Sequence, residues 1–362
     1  MRRSGSFADL FLVACRVKQF VGPGTADQLA GFDAKYPVIL SCFVSLAETD
    51  CGQGALGLFC QGWLSNILLC AVSTVSGLID IEMKDRFSAV ALELAQKPIM
   101  PVEEYPLLFN PPEDFQRRYC GSSMRHAFLF AAGFCNIMMT ETEELLGPSE
   151  IEAFAQGWKF LDFGCGWGRI TRLLALKYGQ KGIYGLDVNQ TALASASAAM
   201  PQATFALLEN APPSPYRDAL IDIAISVSVF SHLSMEYQRS WATDIGRMVK
   251  SGGVVFVTYH GPWLLDMIED FGNGNRQPGN PWEVALSRMS GEVSAYRESW
   301  ADGRFTFMST GGEAMGDQSA YGDVLVPRQC AEEIWGEAGF SLIKWIEDKE
   351  RYPQCIAVLR KG

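Results

Sequence analysis

The stretch from Lys159 to Arg172, Lys-Phe-Leu-Asp-Phe-Gly-Cys-Gly-Trp-Gly-Arg-Ile-Thr-Arg, constrains the fold of this chain more than any other. Phe160, Leu161 and Phe163 make the short apolar run of a strand buried on both faces. Gly164, Gly166 and Gly168 follow at every second position, where the missing Cβ leaves room for a ligand. Ile170, Leu173, Leu174 and Leu176 then recur at helical spacing, so a strand, a loop and a helix start succeed one another. The free N–H groups and the dipole at that helix start favour an anionic group. A dinucleotide fingerprint would read G-x-G-x-x-G, but here the third glycine comes one residue early and Asp162 precedes the first.

A second apolar strand, Gly182 to Leu186, ends in Asp187, nineteen residues past Gly168. At that distance an open α/β sheet presents the tip of its second strand beside the first, where a carboxylate can accept both hydroxyls of a ribose. The alternative reading of Asp187 is a cap for the helix Thr191 to Met200, a role that Asn189 fills equally well. An acid followed by G-x-G-x-G resembles the first motif of the class I S-adenosylmethionine (SAM) dependent methyltransferases. The chemistry agrees, since SAM carries a sulfonium and an amino group and no pyrophosphate, so a nearby carboxylate attracts it.

Further along, Ile221 to Val229 forms an apolar strand that runs into Phe230-Ser-His-Leu. A helix follows from about Met235 to Val249, and Gly252-Gly253 turn the chain into the strand Val254 to Thr258. These segments resemble the same family, and the resemblance extends from about Phe115 to Tyr259 and more weakly to the C-terminus. It implies a Rossmann-like α/β fold: a seven-stranded, mostly parallel sheet with an antiparallel last strand, supplied by a closing hairpin over Phe340 to Ile346 and Cys355 to Leu359. It implies SAM as cofactor, with contacts at Asp162, Gly164, Cys165, Gly166, Gly168, Asp187, Val188, Asn210, Ala211, Ser228 and Phe230. Asn210 would hold the adenine and Phe230 would wall the methionine end. The stretch Pro111-Pro-Glu-Asp-Phe-Gln-Arg-Arg-Tyr-Cys-Gly-Ser-Ser123 ahead of the nucleotide domain is similar to the P-P-E-x-x-x-R-x-x-G-S-S arrangement of a bacterial branch often met among polysaccharide-modifying genes, which would lay Tyr119, Gly121 and Ser122 over the cofactor as a lid; the alternative is a basic helix start with Gly121 as a turn. Relatives often carry His-Gln-Asp where this chain has Tyr352-Pro353-Gln354.

Ligands in an open parallel sheet sit beyond the carboxyl ends of the strands. His232 follows one such end and His260 another, and each has an ordinary pKa near neutrality, so both are candidate general bases. A cap for the following helix is the alternative role for His232. Methyl transfer from a sulfonium is an in-line displacement in which most of the catalysis can come from alignment, and only an alcohol or amine acceptor also needs a base.

At 362 residues the chain is expected to hold two domains. Residues 1–97 are read as an N-terminal β-containing module, from the alternation of Ile79, Ile81 and Met83 with Asp80, Glu82 and Lys84 and a second strand over Ser88 to Leu94. Residues 98–112, rich in proline, are the linker; residues 113–362 are the methyltransferase domain, opening with the helical lid at 113–150. A net charge of −11 argues against non-specific nucleic-acid binding. Ten scattered cysteines without a C-x-x-C pair and only three histidines indicate neither a zinc site nor a disulfide framework, and fit reduced thiols in a cytoplasmic protein. Gly52 to Ile79 carries no charged side chain, but its polar interruptions and acidic flanks argue against a stable membrane span.

After Pro262, a short helix and the Gly/Asn/Pro-rich stretch Gly272 to Pro281 read as a functional insertion. Trp263, Trp282, Tyr296 and Trp300 accompany it and are either core residues or a face for a sugar ring. The function expected from all this is methyl transfer from SAM to a hydroxyl of a sugar or small molecule. The alternative is a SAM-binding scaffold in a glycan-assembly complex, without turnover; an NAD-linked oxidoreductase is disfavoured by the glycine spacing and the closing hairpin.

Overall fold

The computed structural model describes residues 86–97, 110–147, 157–310 and 321–362. The expected alternation at Ile79 to Lys84 and the apolar stretch Gly52 to Ile79 lie outside the described residues. Seven strands form one sheet: β1 (Phe160–Phe163), β2 (Ile183–Asp187), β3 (Thr204–Leu207), β4 (Ile221–Ser226), β5 (Val249–Tyr259), β8 (Phe340–Ile346) and β9 (Cys355–Lys361), in the order β3-β2-β1-β4-β5-β9-β8. The first five run parallel, and β9 enters antiparallel between β5 and β8, as the closing hairpin leads one to expect. Strand order reverses between β1 and β4, so the switch point falls at the end of the glycine-loop strand.

Successive side chains of the central strands feed two different cores, as strands buried on both faces require. Ile223, Ile225, Val254, Phe256, Ile356 and Val358 enter one core; Ala224, Val255, Val257, Ala357 and Leu359 enter the other. Helices α1 (Ser88–Ala95), α3 (Met124–Leu146) and α4 (Arg169–Tyr178) cover the first face. Helices α6 (Met235–Met248) and α10 (Arg328–Glu337) cover the second, through Trp241, Ile245, Ile334 and Trp335.

Ser88 to Leu94, expected as a strand, is helical. Its Ser-Ala-Val-Ala-Leu-Glu-Leu-Ala sequence is rich in strong helix formers, and Phe87, Ala91 and Leu94 fall at helical spacing on one fully buried face. Arg86 to Lys97 therefore pack into the core of the sheet unit.

The helices ahead of β1 are α2 (Glu113–Cys120) and α3, joined through Gly121, whose φ of 68° is the left-handed cap that a glycine adopts without strain. Gln116 clamps this corner: its side chain donates to the Pro111 carbonyl and accepts from the Met124 N–H. Glu141, buried near the far end of α3, pairs with Lys344 and Arg351 of the terminal hairpin and so fixes α3 to the sheet.

Between β5 and α10 lies an insertion with a core of its own. It comprises α7 (Trp263–Gly272), α8 (Pro281–Ser287), a short 3-10 turn, α9 (Val293–Ala301) and a two-stranded ribbon of β6 (Thr306–Met308) and β7 (Asp323–Leu325). Leu264, Leu265, Ile268, Leu286, Val293, Met308 and Leu325 form that core. No helix among the described residues is long and apolar enough to cross a membrane.

Candidate active site

Three glycines shape the loop between β1 and α4, for different reasons. All have positive φ, at 80°, 53° and 81° for Gly164, Gly166 and Gly168. A Cβ at Gly164 would lie 2.2 Å from Val229 Cγ2, and one at Gly168 would lie 2.7 Å from Met200 Cε, so both permit close packing. A Cβ at Gly166 would meet nothing within 4 Å. The space it would fill is open.

Asp187 stands at the tip of β2, facing this loop. Its carboxylate accepts from the Gly166 N–H at 2.7 Å and from the Asn189 N–H at 2.8 Å. Asn189 caps the helix that follows, α5 (Gln190–Ala199), accepting from the Ala192 N–H, so Asp187 is free of the capping role. Burial raises the Asp187 pKa, against the stabilising pull of the N–H groups of Asn189, Gly166 and Val188. Val188 is half-buried beside it.

Asp162 occupies a different environment. It is 2% exposed and accepts a 2.5 Å hydrogen bond from the Thr171 hydroxyl, so it braces the loop from beneath. Cys165 is likewise buried, its N–H bonded to the Leu186 carbonyl and its sulfur against Gly185. Burial, with the Asp187 charge adding to it, pushes the Asp162 pKa up to about 6, against the Thr171 hydrogen bond and the Arg169 charge. A carboxyl whose folded pKa is raised favours folding at low pH and loses that contribution as pH rises through the folded value. Wild-type stability is therefore expected to fall by the order of 1–3 kcal/mol relative to Asp162→Asn as pH rises from about 4 to about 6. Urea unfolding of both proteins across that interval measures the difference.

Helix α3 is seated on the loop and the start of α4. Arg169 Nη1 donates to the Ala127 carbonyl at 3.2 Å, and Phe128 meets Trp167 edge-on at 5.6 Å between ring centroids. Tyr119 is half-buried, and its hydroxyl pKa is raised by burial and by the charge of Asp187, which puts the phenol within electrostatic reach of that acid. Asn210 and Ala211 are exposed just beyond the tip of β3.

Ser228 follows β4 with a φ of 58°. Its N–H donates to Thr258 Oγ1 and its hydroxyl donates to Gln354 Oε1 at 2.9 Å, so Gln354 of the Tyr-Pro-Gln turn reaches the end of β4. Phe230 does not line a pocket. It has no exposed surface and packs against Phe163, Tyr259 and Trp335. The reversed backbone at Ser228 turns the following residues inward, and Phe230 fills the second core. Phe230→Ala is expected to cost about 3–5 kcal/mol of stability, by urea unfolding, while leaving cofactor affinity per folded molecule unchanged.

His232 and His260 come together although they leave different strands. Their rings lie edge to face, 5.3 Å between centroids, and share one carboxylate. His260 Nε2 lies 2.9 Å from Asp323 Oδ1; His232 Nδ1 lies 3.2 Å from the same oxygen and 2.9 Å from the Gly322 carbonyl. The other face of Asp323 is held by Trp282, whose Nε1–H lies 3.1 Å from each carboxylate oxygen, and by the Thr310 hydroxyl at 2.5 Å. Tyr321 stacks on His232 and Trp282 on His260.

The spacing of His232, His260 and Asp323 would also admit a metal ion. The donors around Asp323 already occupy its acceptor capacity, so a cation would have to displace both imidazole bonds. The two imidazoles respond oppositely to this setting. For His260, burial lowers the pKa and outweighs the hydrogen bond and charge of Asp323, with the His232 charge adding to the fall. For His232, burial also lowers it, but the Asp323 hydrogen bond and charge and the Gly322 carbonyl together raise it above the ordinary value. Despite its burial, Asp323 is held well below the usual carboxylate range by the two histidines.

Sequence reasoning named both histidines, and set Tyr321-Gly322-Asp323 beside a similar family stretch, but did not name Asp323 as their partner. The acid lies 63 residues from His260, within an insertion whose docking no local pattern reveals. Of the four aromatic residues assigned to the insertion, Tyr296 and Trp300 pack on its core, and Trp263 spends its N–H on the Pro353 carbonyl. Trp282 is 40% exposed. A separate cavity of about 250 Å³, lined by Trp158, Lys159, Leu174, Tyr178 and Ile183 among others, includes neither the Gly164–Gly168 loop nor Asp187, His232, His260 or Asp323.

Part of the chain is similar to known proteins. Residues 161–257 match the family described as "Methyltransferase domain". The trans-aconitate 2-methyltransferase of Acidovorax sp. (strain JS42) is 27% identical over 200 residues, covering 52% of this chain and 66% of the relative's length. That of Rhizobium rhizogenes (strain K84) is 31% identical over 134 residues, covering 36% of this chain and 48% of its own. Among solved structures, magnesium protoporphyrin IX methyltransferase (ChlM) from Synechocystis PCC 6803 is similar at 15% identity and a TM-score of 0.41, covering 69% of this chain and 94% of that one. From the matched segment, the strand order and the antiparallel β9, residues 161–257 are the central part of a class I SAM-dependent methyltransferase domain.

Proposed function

We propose that this protein transfers the methyl group of SAM to a hydroxyl of a sugar or other small molecule. The observation that carries the reading is the pair of His232, half-buried, and His260, buried, on the buried Asp323, following strands β4 and β5 at the carboxyl end of the sheet where Asp187 and the Gly166 loop also lie. Asp187 would accept the ribose hydroxyls, Gly166 would admit the cofactor backbone, and Tyr119 would cover it. SAM, when bound, supplies a methyl group activated by its sulfonium. The protein's task is then to hold the acceptor oxygen in line with that carbon and to take its proton.

His260 suits the proton transfer. With Nε2–H donated to the ionised Asp323, Nδ1 carries the lone pair, a tautomer assigned from the hydrogen-bond geometry. Its lowered pKa keeps it neutral near pH 7. His232 holds its proton to higher pH and serves as the donor of the pair. Environments that push two titratable groups apart are those that separate acid from base.

The relatives are named for trans-aconitate, whose carboxylates are ionised at neutral pH and need no base. A base cluster has a use only when the acceptor still holds its proton, which favours a hydroxyl over a carboxylate. A scaffold without turnover has no use for one at all. The test supplies SAM with a labelled methyl group to a panel of neutral sugars, alcohols, phenols and trans-aconitate, and treats the products with mild base. A base-stable methyl ether supports the hydroxyl reading; a methyl ester, released by base, would replace it with carboxylate methylation.

A further inference from the structure

We propose that Trp282 couples acceptor binding to the base: its indole N–H holds the carboxylate that orients both imidazoles, and its exposed ring face receives the acceptor as an uncharged ring. The acceptor half of this rests on the methyl-transfer reading above; the hold on Asp323 does not.

Trp282 is where the insertion touches the base cluster with a hydrogen-bond donor from α8. Its Nε1–H reaches both oxygens of Asp323 at 3.1 Å, and its ring lies over His260 at 6.3 Å and 23°. Buried indoles commonly find a partner for the N–H, but this side chain keeps its N–H bonded while 40% exposed. An indole whose N–H is committed to Asp323 has its π-face left to offer, and a π-face suits the C–H side of a sugar or another flat, apolar ring.

The helix that carries Trp282 is itself fixed. Asn280 caps it by accepting from the Glu283 N–H, while Glu283 accepts from the Gly279 N–H and pairs with Arg276. An acceptor pressing on the Trp282 face thus bears on a rigid helix that holds Asp323. The groups around that carboxylate are His232 from the end of β4, His260 from the end of β5, Thr310 from the ribbon and Trp282 from α8. Tyr321 stacks on His232, and the Asp187 charge reaches Tyr321.

The chain has three histidines, and the third, His126, is exposed on α3, so it is an internal control. The test compares imidazole NMR titrations of the wild type and Trp282→Phe, which keeps an aromatic face and removes the N–H. Losing a donor makes Asp323 a stronger acceptor for its remaining partners, so His232 and His260 are expected to titrate about one pH unit higher, with His126 unmoved. In methyl transfer, Trp282→Phe is expected to lower kcat with little change in KM, whereas Trp282→Leu raises KM as well. Calorimetry with SAM, unchanged in both variants, separates these effects from loss of the cofactor site. Titrations of His232 and His260 identical to the wild type in Trp282→Phe would overturn the proposal, whatever the outcome for SAM.

Discussion

Asp187→Ala is expected to weaken SAM binding by about 100- to 1,000-fold, the largest effect of any single substitution at the cofactor end. A carboxylate accepting two ribose hydroxyls makes two hydrogen bonds to a charged group, each contributing about 1.5–3 kcal/mol. Their summed loss is about 3–6 kcal/mol, and the lower part of that range, two to three powers of ten in Kd, is expected because the two bonds share one carboxylate and do not add fully. The substitution also frees the Gly166 N–H, which Asp187 holds at 2.7 Å, so part of the loss would come from a less ordered cradle. Asp187→Asn keeps the shape and one acceptor oxygen, and its affinity should fall between the two. Calorimetric titration of the three proteins measures the series, with far-UV circular dichroism as the check on folding.

The second large effect is expected at the base. His260→Ala should lower kcat by about 10²- to 10⁴-fold, the usual contribution of a positioned general base, with a small change in KM. The pH dependence follows from the direction of the His260 shift. Burial depresses its pKa below the ordinary histidine value of 6.5, so the neutral, proton-accepting form persists to lower pH than in a solvated histidine. Activity should accordingly be near its plateau at pH 7 and fall as pH drops through the depressed pKa. Asp323→Asn removes the charge that opposes this depression and also leaves Nε2–H without its ionised partner. It should reduce kcat as His260→Ala does, and cofactor affinity should be unchanged. A pH–rate profile of the wild type with no acidic limb would remove His260 from the base role.

How much of this was legible in the sequence depended on the distance over which each feature is determined. The loop from Gly164 to Gly168, Asp187 after β2 and the closing hairpin are local patterns, and each stands where its spacing puts it. Asn189 was a candidate cap for α5, and it is the cap. Ser88 to Leu94 was misread because a short apolar run fits a strand or a helix, and the neighbouring alternation tipped the choice; the Ala, Leu and Glu content was the better guide. Phe230 was misplaced for a conformational reason. Ser228 and Phe230 are two residues apart, and a positive φ at Ser228 ends the strand alternation that would have put them on one face. The expected histidines were found because strand ends are visible in sequence. Asp323 and Trp282 were not recognised as their partners, because the insertion brings them in from far along the chain, and only its folding onto the end of β5 joins them to the site.

The central claim, a SAM site built from the Gly166 cradle and Asp187, is tested most directly by calorimetric titration of the wild-type protein with SAM, S-adenosylhomocysteine and NAD. Saturable one-to-one binding of the two sulfur ligands, with none of NAD, is the expected result. Absence of binding by both sulfur ligands, or saturable binding of NAD in their place, would contradict it.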